Sequence, residues 1–166
     1  ILKFFKNIPD LISTSFNDIL VLPENLQDIL RAINNLIRYH DNEKFWVSPD
    51  MQAESALAMV NIGFTAIKFD PAGPYTVRGG HMPAMTDIDL SVKMCAAIRD
   101  AVGTKADLLF GTHGQFSTAG AIRLGRALEP YDPLWYEEPV PPDNVSSMAK
   151  VANSIRIPVA TGERLS

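Results

Sequence analysis

From residue 48 onward, stretches with the hydrophobic spacing of a helix alternate along the chain with short apolar runs typical of strands. Apolar residues three and four positions apart predict four helices, over residues 48–63, 86–103, 117–130 and 143–154. Short apolar runs between them predict four strands, near residues 64–69, 106–110, 134–137 and 157–161. Because near-continuous apolar strands separated by amphipathic helices are typical of parallel βα units, we predict an α/β fold with parallel strands.

The first two helices have recognisable ends. Ser48 is a suitable N-cap, Pro49 suits the first turn, and Gly63 suits the position after the last turn. Thr86 and Gly103 are expected to begin and end the second helix in the same way.

The first 47 residues have a different composition. They contain no glycine and one alanine, whereas all ten glycines and ten of the twelve prolines lie from Ser48 onward. Apolar residues on one face predict a helix between Pro23 and His40. We therefore divide the chain into a divergent or unrelated helical leader, residues 1–47, and a second domain, residues 48–166.

Length and charge narrow the class of protein. The chain has 166 residues, 46% of them apolar, which suits one ordinary domain. Its net charge of −4 comes without a basic run, so nucleic acid and anionic membranes are poor partners. There is neither an apolar run of the ~20 residues that span a bilayer nor a secretory signal pattern. The single cysteine, Cys95, excludes an internal disulfide framework, and we expect a soluble, cytoplasmic protein.

A regular spacing connects the ends of the predicted strands. Glu137 and Glu163 lie 26 residues apart, each at a strand end, and a further step back reaches Gly111. One βα unit in a barrel of eight such units has about that length. Because the carboxyl ends of parallel strands meet at one edge, where ligands bind, we expect these positions to lie together there.

The two glutamates have two interpretations. Carboxylates on strands ~4.8 Å apart repel each other unless a cation lies between them, and oxygen ligands suit Mg²⁺. Glu137 and Glu163 would then hold the metal. Alternatively, they form ordinary salt bridges with arginines such as Arg123 or Arg164. We expect Glu138, the next residue, to point to the other face and to pair with a neighbouring cation.

Other charged residues fall at the same predicted edge. Lys68 ends the first strand, Asp70 lies two residues further on, and His113 lies two residues after Gly111. A lysine, a histidine and two glutamates at one edge form a combination suited to acid–base chemistry assisted by a metal. A lone lysine or histidine at a strand end is usually structural, so the hypothesis depends on their convergence.

Four stretches carry a resemblance to a known family: GFTAIKFDP, LLFGTHGQF, ALEPYDPLWYEEPVPPDN and IPVATGERLS. A strand ending in Glu-Glu-Pro, followed one βα unit later by IP-x-A-x-GE-R, resembles the enolase superfamily, specifically its mandelate racemase/muconate lactonizing enzyme group. The resemblance covers residues 49–166. Within the group, the THGQ stretch is most similar to sugar-acid dehydratases of the galactonate and mannonate type. The resemblance implies that residues 48–166 are part of a (β/α)8 TIM-type barrel, about four βα units.

The resemblance also implies roles for particular residues. Glu137 and Glu163 match two of three Mg²⁺ ligands. His113 matches the histidine that protonates the departing hydroxyl group, and Lys68 matches a lysine that faces the substrate carboxylate or transfers protons. Asp70 stands where a racemase has its basic lysine, which argues against a racemase that uses a lysine base.

Further residues are placed near the substrate by the same resemblance. These substrate-binding candidates are Asp70, Tyr75, Arg78, His81 and Gln115. Gln115 departs from the family, which has an arginine there. Gly111 departs too, because the third metal ligand is normally an aspartate at that position, which leaves the third ligand open.

The resemblance implies a reaction for the complete protein. Mg²⁺ binds the carboxylate of a sugar acid and stabilises the enediolate formed when a base removes the α-proton. His113 then protonates the β-hydroxyl group, which leaves as water, and a 2-keto-3-deoxy acid results. Alternatives are an epimerase, racemase or cycloisomerase of the same superfamily, and an inactive fragment.

The chain ends at Ser166, and we expect the general base on later strands. A capping domain is also expected elsewhere in the complete protein, which should form a homo-oligomer. We expect the 166-residue chain alone to give no turnover and to self-associate through open strand edges.

Overall fold

The computed structural model describes residues 3–5, 47–72 and 80–164. The helix predicted between Pro23 and His40 lies outside these ranges, as do Tyr75 and Arg78, so those predictions stay untested.

Helices and strands alternate through the described part of the second domain. The helices are α1 Pro49–Asn61, α2 Met85–Val102, α3 Thr118–Leu128 and α4 Val145–Ala152. The strands are β1 Lys3–Phe5, β2 Ala66–Phe69, β3 Asp107–Gly111, β4 Trp135–Glu137 and β5 Val159–Ala160. A short 3₁₀ helix, Glu129–Tyr131, follows α3.

The strands form one sheet in the order β1-β2-β3-β4-β5. Strands β2 to β5 run parallel to one another, which confirms the predicted α/β fold built of βα units. Strand β1 was not predicted: it lies in the leader and pairs antiparallel with β2. The division into two domains at residue 48 stays a prediction.

The two faces of the parallel strands have different surroundings. Alternate residues Ile67, Phe69, Leu108, Phe110 and Tyr136 belong to the hydrophobic core, together with buried residues of the helices. Because side chains alternate along a strand, Lys68, Leu109, Gly111 and Glu137 belong to the opposite face. The helices therefore cover one face, as predicted, and leave the other to the residues of the candidate site.

Local hydrogen bonds explain where the helices begin. Ser48 is the predicted N-cap of α1, and its hydroxyl accepts a hydrogen bond from the Met51 amide at 3.4 Å. Helix α2 begins earlier than predicted, since its N-cap is Ala84 rather than Thr86. The Ala84 amide donates to the Asp87 carboxylate at 3.1 Å, and this bond takes the place of a side-chain cap.

Arg99, in the last turn of α2, connects the loops at the amino ends of the strands. Its guanidinium donates to the carbonyls of Gly103 and Ala106 before β3, each at 2.9 Å. It also donates to Tyr131 at 3.1 Å and to Asp132 at 3.2 Å, before β4. Arg99 thus holds together the loops before β3 and β4, at the end of the sheet opposite the candidate site.

In the described ranges, no helix is both long and apolar enough to cross a bilayer.

Candidate active site

Three charged side chains meet at the carboxyl edge of the sheet. Lys68 Nζ donates a hydrogen bond to Glu137 Oε1, and it lies 4.0 Å from Glu163 Oε2. The Lys68 and Glu137 side chains are only 10% and 13% exposed, so water screens this pair less than a surface ion pair. Glu137 and Glu163 thus lie near one positive charge, the Lys68 ammonium group, and their role as metal ligands stays a prediction.

The alternative interpretation, pairing of the glutamates with arginines, is not what the described residues show for Glu137. Its contacts are with Lys68 and with the indole of Trp135, which donates to Glu137 Oε2 at 3.2 Å. Arg123 instead contacts the sulfur of Met85. Glu163 lies three residues beyond the end of β5, not at the strand end, and its side chain is 42% exposed.

Gly111 is the residue of β3 paired with Glu137 of β4. It has no side chain that could coordinate a metal, as the sequence indicated. A Cβ atom at this position would lie 2.8 Å from Lys68 Cε, so the lysine stem fills the space in front of the glycine.

His113 lies beside a buried carboxylate. Its Nδ1 atom is 3.7 Å from Asp70 Oδ2, with the histidine side chain 37% exposed and the aspartate 5%. Interaction with Asp70 raises the pKa of His113, although partial burial opposes the shift. Burial raises the pKa of Asp70 itself, against the lowering effects of His113 and of the Ala72 amide, which donates at 2.8 Å. A histidine whose protonated form is favoured by a neighbouring carboxylate suits a proton donor.

Gln115 lies behind this pair. Its amide nitrogen is 3.4 Å from Asp70 Oδ2, and both side chains are buried. The structure therefore places Asp70 and Gln115 where they can orient His113. Their predicted contact with substrate stays a prediction.

Thr112 links the carboxyl ends of β3 and β4 next to the candidate site. It was not among the residues predicted for this site. Its buried hydroxyl lies 3.0 Å from the carbonyl oxygens of both Glu137 and Glu138. The only sign of this role in the sequence was a threonine directly after Gly111, at the end of a predicted strand. The bonds fix β3 against β4 next to the charged cluster.

The prediction for Glu138 was wrong in its partner. Its Oε1 atom accepts from the amides of Arg164 at 3.1 Å and Gly162 at 3.5 Å, and no cationic side chain of the described residues pairs with it. Its backbone is left-handed, with φ of 43°, which departs from the strand alternation on which the prediction relied. His113 is also left-handed, with φ of 54°. Two such residues beside one site are a local strain that the surrounding hydrogen bonds must hold.

His81 and Arg164 contact the segment that begins with His113. The His81 backbone runs parallel to Phe116, and their rings are 5.2 Å apart. The Arg164 guanidinium donates to the carbonyl oxygen of His113. Of the predicted site residues, the structure thus brings Lys68, Glu137 and Glu163 into one cluster and Asp70, His113 and Gln115 into another, while His81 lines the segment after His113.

The carboxylate pair fits a hard divalent cation in part. Mg²⁺ is commonly held by one or two carboxylates and several waters, and Glu137 and Glu163 already converge on one positive charge. Gly111 provides no third ligand, and the described residues contain no group of three or more His, Cys, Asp or Glu placed to hold a metal. A metal here would depend on the two glutamates and on water or substrate oxygens.

The fold and the candidate site together are typical of one class of protein: a segment of an α/β barrel with charged side chains at the carboxyl edge of its parallel strands. Residues 51–166 match the enolase C-terminal domain-like family, and the chain belongs to it. The resemblance to the mandelate racemase/muconate lactonizing enzyme group and its sugar-acid dehydratases is confirmed.

Curated relatives include sugar-acid dehydratases. A D-xylonate dehydratase of Haloferax volcanii is 37% identical over 122 residues, covering 71% of this chain and 30% of that protein. A D-gluconate/D-galactonate dehydratase of Picrophilus torridus is 36% identical over 119 residues, covering 72% and 29%. The chain thus spans about a third or less of these relatives.

Solved structures agree with the fold. A mandelate racemase/muconate lactonizing enzyme-like protein from Roseovarius sp. TM1035 superposes with a TM-score of 0.72 at 76% identity, over 74% of this chain and 31% of that one. A mandelate racemase/muconate lactonizing enzyme from a Sulfitobacter species gives 0.73 at 73% identity, over 76% and 32%. The chain is therefore a segment of an enolase-superfamily barrel, as predicted.

Proposed function

We propose that the complete protein containing these residues dehydrates a sugar acid to a 2-keto-3-deoxy acid. The observation that supports this best is the placement of His113 against buried Asp70, at the edge where Lys68 and Glu137 meet. The dehydratase names of the curated relatives support the same reaction.

His113 is the proton donor in this proposal. Dehydration breaks the β-carbon–oxygen bond, and the departing hydroxyl group needs a proton to leave as water. Asp70 stabilises the imidazolium form and orients the ring through the 3.7 Å contact at Nδ1. After the α-proton and the hydroxyl group have left, the enol product becomes the 2-keto acid.

Glu137 and Glu163 would hold Mg²⁺, which members of this superfamily generally bind. When bound, the metal would neutralise negative charge that develops on the substrate carboxylate as the α-proton leaves. Lys68 lies near the end of its strand at the same edge, and its flexible stem allows its ammonium group to face the substrate carboxylate. Trp135 holds one oxygen of Glu137 and so limits how that carboxylate can turn.

The test is product formation by the full-length protein with Mg²⁺ and a panel of xylonate, gluconate and galactonate. We expect a 2-keto-3-deoxy acid from at least one of them, and a loss of rate of about 10²–10⁴ in His113→Gln. His81→Gln is the comparison variant. The His81 ring contacts Phe116 and has no role as proton donor in this proposal, so we expect a smaller loss of rate.

Two results would contradict the proposal. An unchanged rate in His113→Gln would remove its role as proton donor. Exchange of solvent deuterium at the α-carbon without loss of water, for every acid tested, would favour an epimerase or racemase. We also propose that the full-length protein is cytoplasmic and forms a homo-oligomer. Light scattering of the full-length protein tests its oligomeric state.

A further inference from the structure

One position at the carboxyl edge of the sheet attracts a cation from two sides. Glu137 Oε1 accepts a hydrogen bond from Lys68 Nζ, and Glu163 Oε2 lies 4.0 Å from the same nitrogen. The side chains of Lys68 and Glu137 are both largely buried. The lysine ammonium therefore stands where two carboxylates converge, the arrangement that would otherwise suit a divalent metal ion.

Gly111 makes room for this lysine. It lies beside Glu137 in the register of β3 and β4, on the same face of the sheet as Lys68. A Cβ atom at Gly111 would be 2.8 Å from Lys68 Cε and 3.7 Å from Nζ. Gly111 is not among the glycines with positive φ, so its conformation does not require glycine. What the structure does require there is space for the end of the lysine side chain.

We infer that Lys68 and a divalent metal ion are alternative occupants of this one position, and that Gly111 is the residue that admits the lysine. Two cations cannot share the position, because like charges a few ångströms apart repel strongly beside the largely buried Lys68–Glu137 pair. Metal binding then requires the Lys68 ammonium to leave both glutamates, and its flexible stem allows this. The inference rests on the proposed function in one respect, that Glu137 and Glu163 are the metal ligands.

Titration calorimetry of the full-length protein with Mg²⁺ tests the inference. Lys68→Met keeps most of the apolar stem and removes the competing charge, so we expect it to bind Mg²⁺ at least tenfold more tightly than wild type. Lys105→Met is the matched control: it removes an exposed lysine in the turn before β3, at the opposite end of the strands, and should leave the affinity unchanged.

A second variant keeps every charge and so guards against misfolding of Lys68→Met. Gly111→Ala places a methyl group against Lys68 Cε and should push the ammonium away from the glutamates. We expect it to bind Mg²⁺ several-fold more tightly than wild type. Thermal unfolding gives an independent measurement: saturating Mg²⁺ should raise the Tm of Lys68→Met more than that of wild type, because in wild type the metal replaces a cation already present.

The outcomes separate this inference from the proposed function. If wild type, Lys68→Met and Gly111→Ala bind Mg²⁺ equally, the exchange is refuted while the metal site stands. If none of them binds Mg²⁺, both the exchange and the metal role are refuted. Product formation in the presence of a chelator, measured in parallel, would in that case leave the dehydration itself standing.

Discussion

Replacement of Arg99 by methionine should destabilise the protein far more than the same change at another helix end. Methionine keeps much of the apolar stem of Arg99 but removes the five hydrogen bonds that its guanidinium makes to four carbonyl groups. Two of those bonds are exposed, and water can replace them. The other three reach the half-buried carbonyls of Tyr131 and Ala106.

The magnitude follows from these two carbonyls. A hydrogen bond from a charged donor contributes ~1.5–3 kcal/mol, and partial replacement by water reduces this. One to two kcal/mol for each carbonyl gives a loss of about 2–4 kcal/mol in the free energy of unfolding, at the upper end for single substitutions. With a urea m-value of ~2 kcal/mol per molar, the midpoint should fall by about 1–2 M.

Arg126→Met is the matched control. Arg126 also lies in the last turn of its helix, so both changes remove the same favourable charge at a helix carboxyl end. Arg126 makes one exposed bond, to the Ser154 carbonyl at 3.2 Å, and we expect a loss of about 0.5 kcal/mol. Urea unfolding of the full-length variants, followed by circular dichroism, measures both. Equal midpoint shifts would refute the reasoning from the bonded carbonyls.

Two further changes test other parts of the structure. Asp70→Asn should lower the pKa of His113, which Asp70 raises above its ordinary value of about 6.5. While Asp70 is ionised, the stability represented by the raised His113 pKa is present below the ordinary histidine value, and it is lost as pH rises through the raised His113 pKa. Proton NMR titration of the imidazole measures the shift, and an unchanged His113 pKa in the variant would contradict it. Phe110→Ala should lower the free energy of unfolding in urea by about 3–5 kcal/mol. Phe110 is fully buried, and its ring packs edge-on against that of Phe69, with the ring centroids 5.2 Å apart. A loss below about 1 kcal/mol would show that the core closes around the gap.

The sequence was sufficient for the order and pairing of the parallel strands. Apolar runs and helical spacing located each strand to within about two residues at either end, because burial on one face imposes that pattern. The start of α2 was missed, since the bond between Ala84 and Asp87 leaves no mark on hydrophobic periodicity.

The convergence of Lys68, Glu137 and Glu163 at one edge was predictable from the sequence, but their contacts were not. The 26-residue spacing brought Glu137 and Glu163 together, but the cation between them depends on the reach of Lys68 and the space at Gly111. Glu138 could not be placed by strand alternation, because its backbone turns left-handed at the end of β4. Such details arise from tertiary packing, which a periodic pattern does not record.

The antiparallel pairing of β1 has a consequence for the order in which the sheet assembles. Lys3 pairs with Lys68, a separation of 65 residues, whereas Gly111 and Glu137 are 26 apart. Closing the longer loop costs roughly 0.8 kcal/mol more chain entropy, and the strand returns only three residue pairs. Strand β1 should therefore join last during folding and separate first during unfolding. Amide hydrogen exchange at Phe4 that is as slow as at Leu109 would show instead that the sheet opens as one unit.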